Sequence, residues 1–210
     1  MNSYDYLKPY HKDILNEIGS IYGGNSATSL FSLLSEVVTL NVCSASLHGY
    51  KHLSNSIAED KKLMISHLGN DINGLLCLRI TQPIADTLAK IMSDDYLVDF
   101  NKYGNLGDSA NVELASILFG TILTGLTSLL PSPKARITYT VPEIIHNNDD
   151  LRRHKVDLWK NSSHVFTHVI LTSYSFNGSI FFFMDYLSFD FFLKGFSHSD
   201  NSSLRVLERY

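Results

Sequence analysis

Cysteine is scarce: the chain of 210 residues has two, Cys43 and Cys77. Two cysteines make no disulfide framework, and there is no CxxC, so neither a stapled secreted domain nor a thiol metal site is indicated. Reduced core cysteines in a cytoplasmic protein are the expectation. An excess of basic charge is also missing. Lysine and arginine number 17 against 21 acidic residues, a net charge of −4, which leaves no electrostatic footprint for nucleic acid. Apolar runs are short: Ser179–Met184 falls far below the roughly 20 residues that cross a bilayer, so no membrane insertion is expected. The first residues lack the basic start and apolar middle of a leader peptide. No Gly-rich phosphate cradle follows a strand. The histidine pairs His48/His52 and His164/His168 stand at i, i+4 outside any convincing helix. No Cys or carboxylate completes a zinc set around them, and they read as surface or edge residues.

At 210 residues the chain is long enough to bury one sizeable core and short for two independent domains. Its most informative stretch runs from Asp13 to Leu34, DILNEIGSIYGGNSATSLFSLL. Ile14, Ile18, Ile21, Leu30, Leu33 and Leu34 recur there at helical spacing. Asp13, Glu17 and Ser20 stand at i, i+4 and i+7 and share one face of that helix. The same spacing returns in SANVELASILFGTILTGLTSLL as Ser109, Glu113 and Ser116, again followed by small residues and a closing Leu pair. One such triplet is common and reads as a solvated or capping stripe. Two with matching flanks, 96 residues apart, point to a duplicated unit. Gly19, Gly23 and Gly24 each disfavour helix by roughly 1 kcal/mol against Ala. Glycine makes sense there if another backbone comes close along the Gly19/Gly23 stripe; the alternative is a helix that breaks near Gly23-Gly24.

The predicted elements come in the same order in each half. A helix from about Tyr10 to Ser35 leads to a strand over Val37–Ser46, where Val38, Leu40 and Val42 alternate with polar residues. His48 to Lys62 reads as a polar loop. Strands over Leu63–Leu68 and Leu75–Ile80 flank Asn70-Asp71-Ile72-Asn73-Gly74, a turn whose Asn-Gly pair can supply positive φ. Pro83 opens a helix that runs to Met92, and Ser93–Leu106 is the junction. The second half has a helix from about Asp108 to Leu130 and an alternating Ile137, Tyr139 and Val141. A polar loop His146–His154, holding Asp149-Asp150 and Arg152-Arg153, comes next. Strands Val165–Ser173 and Ser179–Met184 follow, joined through Phe176-Asn177-Gly178, and then a helix Tyr186–Phe196. The expected fold is α+β and internally duplicated: two halves, about 11–92 and 107–196, share one β-sheet about a pseudo-two-fold axis. The two long helices lie on one face. All of 1–210 forms a single domain ending in a polar tail, 197–210. Phe181, Phe182, Phe183, Phe189, Phe191, Phe192 and Phe196 read as core and interface. Aromatic surface beyond what one core buries would favour a homodimer.

These residues resemble the CheC/CheX/FliY group of bacterial chemotaxis proteins. The group's motif is an acid or Ser, three residues, Glu, two residues, Asn, then a Pro some 22 residues on, carried once per half in members with two sites. Asp13-x3-Glu17-x2-Ser20 and Ser109-x3-Glu113-x2-Ser116 stand in those two places, with Ser where the group has Asn. The Pro place is Cys43 after the first motif and Tyr139 after the second, with Pro142 three further on. The glycine- and alanine-rich continuation from Ile21 to Leu30, the Asn-Gly turn before a strand and Tyr139-Thr140-Val141-Pro142 extend the likeness over about residues 11 to 196.

The resemblance implies a CheC-like fold, a cytoplasmic setting and a partner. That partner is a CheY-like response-regulator receiver domain, whose phosphoaspartate the group hydrolyses. The receiver brings the acyl phosphate, its Mg²⁺ and a Lys, so no metal or cofactor of the chain's own is expected. Carried across by position, Glu17 and Glu113 pair with that Lys. Ser20 and Ser116 occupy the place of the Asn that orients water for in-line attack, and Asp13 and Ser109 contact the partner. A Ser hydroxyl lacks the amide's reach and its paired donor and acceptor, so any hydrolysis is expected to be weak. Asn16 and Asn111 stand about 100° and 200° around the helix from Glu17 and Glu113, and Asn25 about 80° from Glu17, so none replaces the motif Asn by spacing. Two other readings use the same helix faces: a catalytically inactive binding module, and a flagellar-switch-like assembly module.

Overall fold

Helix α1, Pro9–Leu34, forms where the sequence places it and does not break at Gly23-Gly24. Pro9 suits a first helical turn, where its missing N–H costs nothing. The Lys8 N–H donates to His11 Nδ1 at 3.3 Å, satisfying an end of the chain that helix geometry leaves open. His11 is buried and packs edge-on against Phe189; burial holds its pKa below the ordinary histidine value, with the Lys8 charge adding to the effect. The helix stops at Ser35, which adopts the left-handed conformation (φ 56°) and donates its N–H to the Phe31 carbonyl at 2.8 Å. The Glu36 carboxylate then accepts from Ser173 Oγ at 2.6 Å and from the Ser175 N–H at 2.9 Å. Those bonds hold its carboxyl below the usual range and tie the exit of α1 to a distant turn.

The structure is a computed structural model that describes residues 7–47, 61–93, 104–153 and 164–207. Tyr4 and Tyr6, residues 48–60 of the loop expected from His48 to Lys62 with His52 in it, most of the junction after Ser93, and His154 lie outside the described residues; Lys61 and Lys62, expected in that loop, are instead the first residues of a strand. The strands are β1 (Thr39–Leu47), β2 (Lys61–Asn70), β3 (Gly74–Thr81), β4 (Ile137–Tyr139), β5 (Glu143–Ile145), β6 (His164–Thr172) and β7 (Asn177–Asp185). The remaining helices are α2 (Gln82–Ser93), α3 (Gly104–Ser128), α4 (Asn148–Arg153) and α5 (Tyr186–Leu207).

The seven strands make one antiparallel sheet in the order β1-β6-β7-β3-β2-β4, with β5 also paired to β2. Exchanging β1 with β4–β5, β2 with β6 and β3 with β7 reverses this order and leaves it unchanged. At the centre, Cys77 pairs with Phe181. Those two residues correspond when the turns Asn73-Gly74 and Asn177-Gly178 are aligned, an offset of 104.

Each central strand is apolar on both faces. Leu76, Leu78, Ile80, Ile180, Phe182 and Met184 join Leu15, Ile18, Tyr22, Leu118, Phe119, Ile122, Phe189 and Phe192 in a core under the helices. Leu75, Cys77, Phe166, Phe181 and Phe183 join Leu63, Ile65, Ile145 and Leu151 in a second core on the other face. Burying one Leu or Phe side chain is worth about 1.5–3 kcal/mol, so both faces contribute to holding the sheet. Two-sided burial accounts for the unbroken run Ile180–Met184, which shows no alternation. Of the aromatic cluster, Phe181, Phe182, Phe183, Phe189 and Phe192 are fully or almost fully buried within the one chain, and Phe191 and Phe196 are partly buried against the core.

Several expectations are corrected. Asn70, at φ 70°, carries the positive φ of the β2–β3 turn, and no described glycine does. Gly74 is needed for space instead: a Cβ there would overlap the Phe183 carbonyl on the neighbouring strand. The supposed loop at Asp149-Asp150 is helix α4. Asn147 Oδ1 caps it by accepting from the N–H groups of Asp149 (2.9 Å) and Asp150 (3.0 Å). Asp150 is buried; it accepts from the His146 N–H at 2.9 Å, which with the paired Arg153 keeps its carboxyl below the ordinary value. Helix α5 continues to Leu207, past the expected end at Phe196 and into the expected polar tail. His164 and His168 belong to a strand with neighbours on both sides, not to an edge; His168 stacks on Phe181 at 4.4 Å between centroids.

Candidate functional site: the outer faces of the paired long helices

Helices α1 and α3 pack against each other above the sheet. Asn25 Nδ2 donates to the Thr121 carbonyl at 3.2 Å. These residues are 96 apart, the separation of the two motifs. A Cβ on Gly125 would overlap the Asn25 amide and come 3.3 Å from Ile21 Cγ2. Asn25 thus meets Thr121 while Ile21 meets Gly125, so the helices run antiparallel. Glu17 and Glu113 each stand eight residues before that meeting point. At 1.5 Å per residue the two motif faces lie about 24 Å apart, at opposite ends of the helix pair.

Helical periodicity also sets direction. Leu15, Ile18, Tyr22 and Leu30 are buried against the sheet, and Asp13, Glu17 and Ser20 lie on the opposite side of α1 and are exposed. On α3, Leu114, Leu118, Ile122 and Leu126 are buried, Ser109 and Glu113 are exposed and Ser116 is half-buried. Tyr22 anchors α1 to β6 through its hydroxyl, 3.0 Å from Thr167 Oγ1; burial pushes that phenol's pKa far up.

The glycine stripe of α1 meets the sheet and not another backbone. A Cβ on Gly19 would lie 3.0 Å from Val42 Cγ1, and one on Gly23 would overlap Leu40 and come 3.0 Å from Val169 Cγ1. Gly24 faces open space. The stripe lets α1 settle on β1 and β6, which turns the motif side outward.

Both motif serines bond back to their own helix. Ser20 Oγ donates to the Asn16 carbonyl and Ser116 Oγ to the Val112 carbonyl, each at 2.9 Å. The hydroxyl proton is committed at both faces and only lone pairs face outward. Asn25 and Asn111 do not stand in for the missing amide: Asn25 donates across the helix pair, and Asn111 is buried and donates to the Gly107 carbonyl at 2.8 Å. The described residues hold no group of three or more His, Cys, Asp or Glu suited to a metal ion.

The two positions that follow the motifs lie on outer strands at matching irregularities. On β1 the register slips by one residue between Val42 and Ser44, so Cys43 sits in a β-bulge. It is exposed, unlike Cys77, whose thiol is buried and pushed far up in pKa. On the other side, Leu68 pairs with Tyr139 and Ile65 with Glu143, which again leaves one extra residue between β4 and β5. A proline is tolerated at such a bulge because no ladder bond is lost there.

No protein-family model and no curated protein matches the chain by sequence. Solved structures do match by shape, and they define the class: the chain has the mixed helix-and-sheet fold shared by FliY, CheX and the FliM middle domain. It is similar to Thermotoga maritima FliY with a TM-score of 0.65 at 19% identity, covering 91% of this chain and 96% of that one. FliM in a FliM–SpeE complex from H. pylori gives a TM-score of 0.67 at 10% identity, covering 93% and 98%. CheX in a CheX–CheY–BeF3–Mg complex from Borrelia burgdorferi gives 0.56 at 13% identity, covering 79% and 96%.

Proposed function

We propose that this chain is a cytoplasmic chemotaxis or flagellar-switch signalling protein that docks a phosphorylated CheY-like receiver domain on the outer faces of α1 and α3 and hydrolyses its phosphoaspartate slowly. The observation that carries the reading is the placement of Glu17 and Glu113. Each is an exposed carboxylate on the side of its helix turned away from the sheet, one turn before a serine on the same face. In this reading each Glu pairs with the receiver's Lys, and Asp13 and Ser109 extend the contact. The receiver supplies Mg²⁺ and the acyl phosphate, so the chain's task is to position groups. The CheX–CheY complex supports a receiver as the kind of partner. The matched strand order, the Asn25–Thr121 contact and the Cys77–Phe181 pairing support an ancestral duplication behind the two faces.

A second reading, docking or switch assembly without hydrolysis, is favoured by one observation: both motif hydroxyls are bonded to their own helix. The docking reading is tested by titrating a beryllofluoride-activated CheY-like receiver into the chain and into a Glu17→Ala/Glu113→Ala variant. Losing two charge-assisted contacts of about 1.5–3 kcal/mol each is expected to weaken binding by tenfold or more per site. Equal affinity of the two proteins would refute docking through these faces.

A further inference from the structure

The two faces differ in one way that their shared spacing does not show. Tyr139 ends β4 and pairs with Leu68. Residues directly opposite each other in an antiparallel pair project from the same face, and Leu68 belongs to the core under the helices. The Tyr139 ring therefore rises from the sheet edge towards α3. Its hydroxyl comes 3.6 Å from where a Cβ on Gly120 would be. Gly120 follows Ser116 by four residues, so it lies on the same side of the helix, with about 5–6 Å between such positions. Tyr139 is 40% exposed, and its hydroxyl packs beside Gly120, one helical turn from Ser116 and two from Glu113.

Among the described residues the Glu17 face has no such group. Gly24 corresponds to Gly120 at the offset of 96, and nothing lies within 4 Å of its Cβ position. Cys43 corresponds to Tyr139. It sits in the β1 bulge with its thiol directed to the Asn41 carbonyl at 3.6 Å. Ser20 is exposed where Ser116 is half-buried.

We propose that the Tyr139 hydroxyl is the water-positioning group of the Glu113 face, taking the part that Ser116 cannot, and that this face is the one that hydrolyses. The proposal rests on the receiver-docking reading. A phenol O–H both donates and accepts, as the missing amide would. It is carried on a rigid ring with only two side-chain torsions, so little entropy is lost in holding it. In the step itself the water oxygen bonds to phosphorus while the bond from phosphorus to the aspartyl oxygen breaks. The electron pair leaves on the receiver's carboxylate, and both water protons finish on the released phosphate. Tyr139 keeps its own proton throughout and fixes the direction of the water.

The test uses the full chain with a CheY-like receiver, read in two ways: affinity for the beryllofluoride–Mg²⁺ form, and phosphate release from receiver phosphorylated with acetyl phosphate. The proteins are the wild type, Tyr139→Phe and Tyr174→Phe. Tyr174 is fully exposed in the β6–β7 turn, outside both faces, and controls for loss of a surface phenol. Tyr139→Phe is expected to keep the affinity and to lose most of the wild type's acceleration, with phosphate release at saturation falling close to the receiver's own decay. Tyr174→Phe is expected to match the wild type. Release that is unchanged in Tyr139→Phe overturns the proposal and leaves receiver docking standing. Docking by the wild type with no release above the receiver's own decay also overturns it. Failure of the wild type to bind the receiver overturns both the docking reading and this proposal.

Discussion

Gly24 and Gly125 lie on the two motif helices, and helix propensity treats them alike: replacing either with Ala should gain roughly 0.8–1 kcal/mol. Their surroundings separate them. A Cβ on Gly24 meets nothing within 4 Å, so Gly24→Ala is expected to stabilise the fold by nearly that full amount. A Cβ on Gly125 would displace the Asn25 amide, which bonds the Thr121 carbonyl, and would press on Ile21 Cγ2 at 3.3 Å. Loss of that hydrogen bond costs about 1 kcal/mol and overpacking about 1–3. Set against the propensity gain, Gly125→Ala should destabilise by about 1–3 kcal/mol. In an Asn25→Ala background the obstruction is largely gone and the same substitution should turn close to neutral. Urea unfolding of the wild type, Gly24→Ala, Gly125→Ala, Asn25→Ala and Asn25→Ala/Gly125→Ala would measure this, and about 1 kcal/mol corresponds to a melting shift of roughly 2–4 °C at this chain length. If Gly125→Ala stabilised as much as Gly24→Ala, or if its effect did not depend on Asn25, the antiparallel contact that sets the spacing of the two faces would be refuted.

Two further outcomes are expected. Tyr22→Phe leaves Thr167 Oγ1 without its buried partner and should cost about 1–2 kcal/mol in urea unfolding, whereas Tyr22→Phe with Thr167→Val should recover most of it. A single-mutant effect below measurement error would show that the bond contributes nothing. Glu36 has a folded-state pKa below its ordinary 4.5, so its stabilisation is present above pH 4.5 and is lost as pH falls below that through the folded value. Wild type and Glu36→Gln should therefore differ in unfolding midpoint at neutral pH and converge towards pH 3; a difference that stays constant would contradict the tie to Ser173 and Ser175.

The long elements were legible because their burial is one-sided or their runs are long. The period of Ile14, Ile18 and Ile21 marks α1, and the alternation of Leu40 and Val42 marks β1. The outward placement of Glu17 and Glu113 also follows from periodicity, since residues opposite a buried stripe face solvent. Elsewhere local pattern was insufficient. A strand buried on both faces has no alternation, so His164 and His168 gave no sign that they stand inside the sheet. Helix α4 is too short to show a period; only the Asn147-Asn148-Asp149 capping signature could have marked it. Spacing showed that Gly19 and Gly23 leave room, but which element fills it depends on tertiary packing: Leu40, Val42 and Val169 do. The approach of Tyr139 to Gly120 depends on strand register, and no sequence spacing encodes it.

The most direct measurement is phosphate loss from a phosphorylated CheY-like receiver with Mg²⁺, followed against the receiver's own decay, with the wild type and with Ser20→Asn/Ser116→Asn. The wild type is expected to accelerate the loss modestly. The Asn variant, with an amide able to reach beyond the helix surface, is expected to accelerate it by up to about 100-fold more, the scale set by correct positioning of a reacting group. No acceleration by either protein, at concentrations where the receiver is bound, would contradict a phosphatase surface on these two helices.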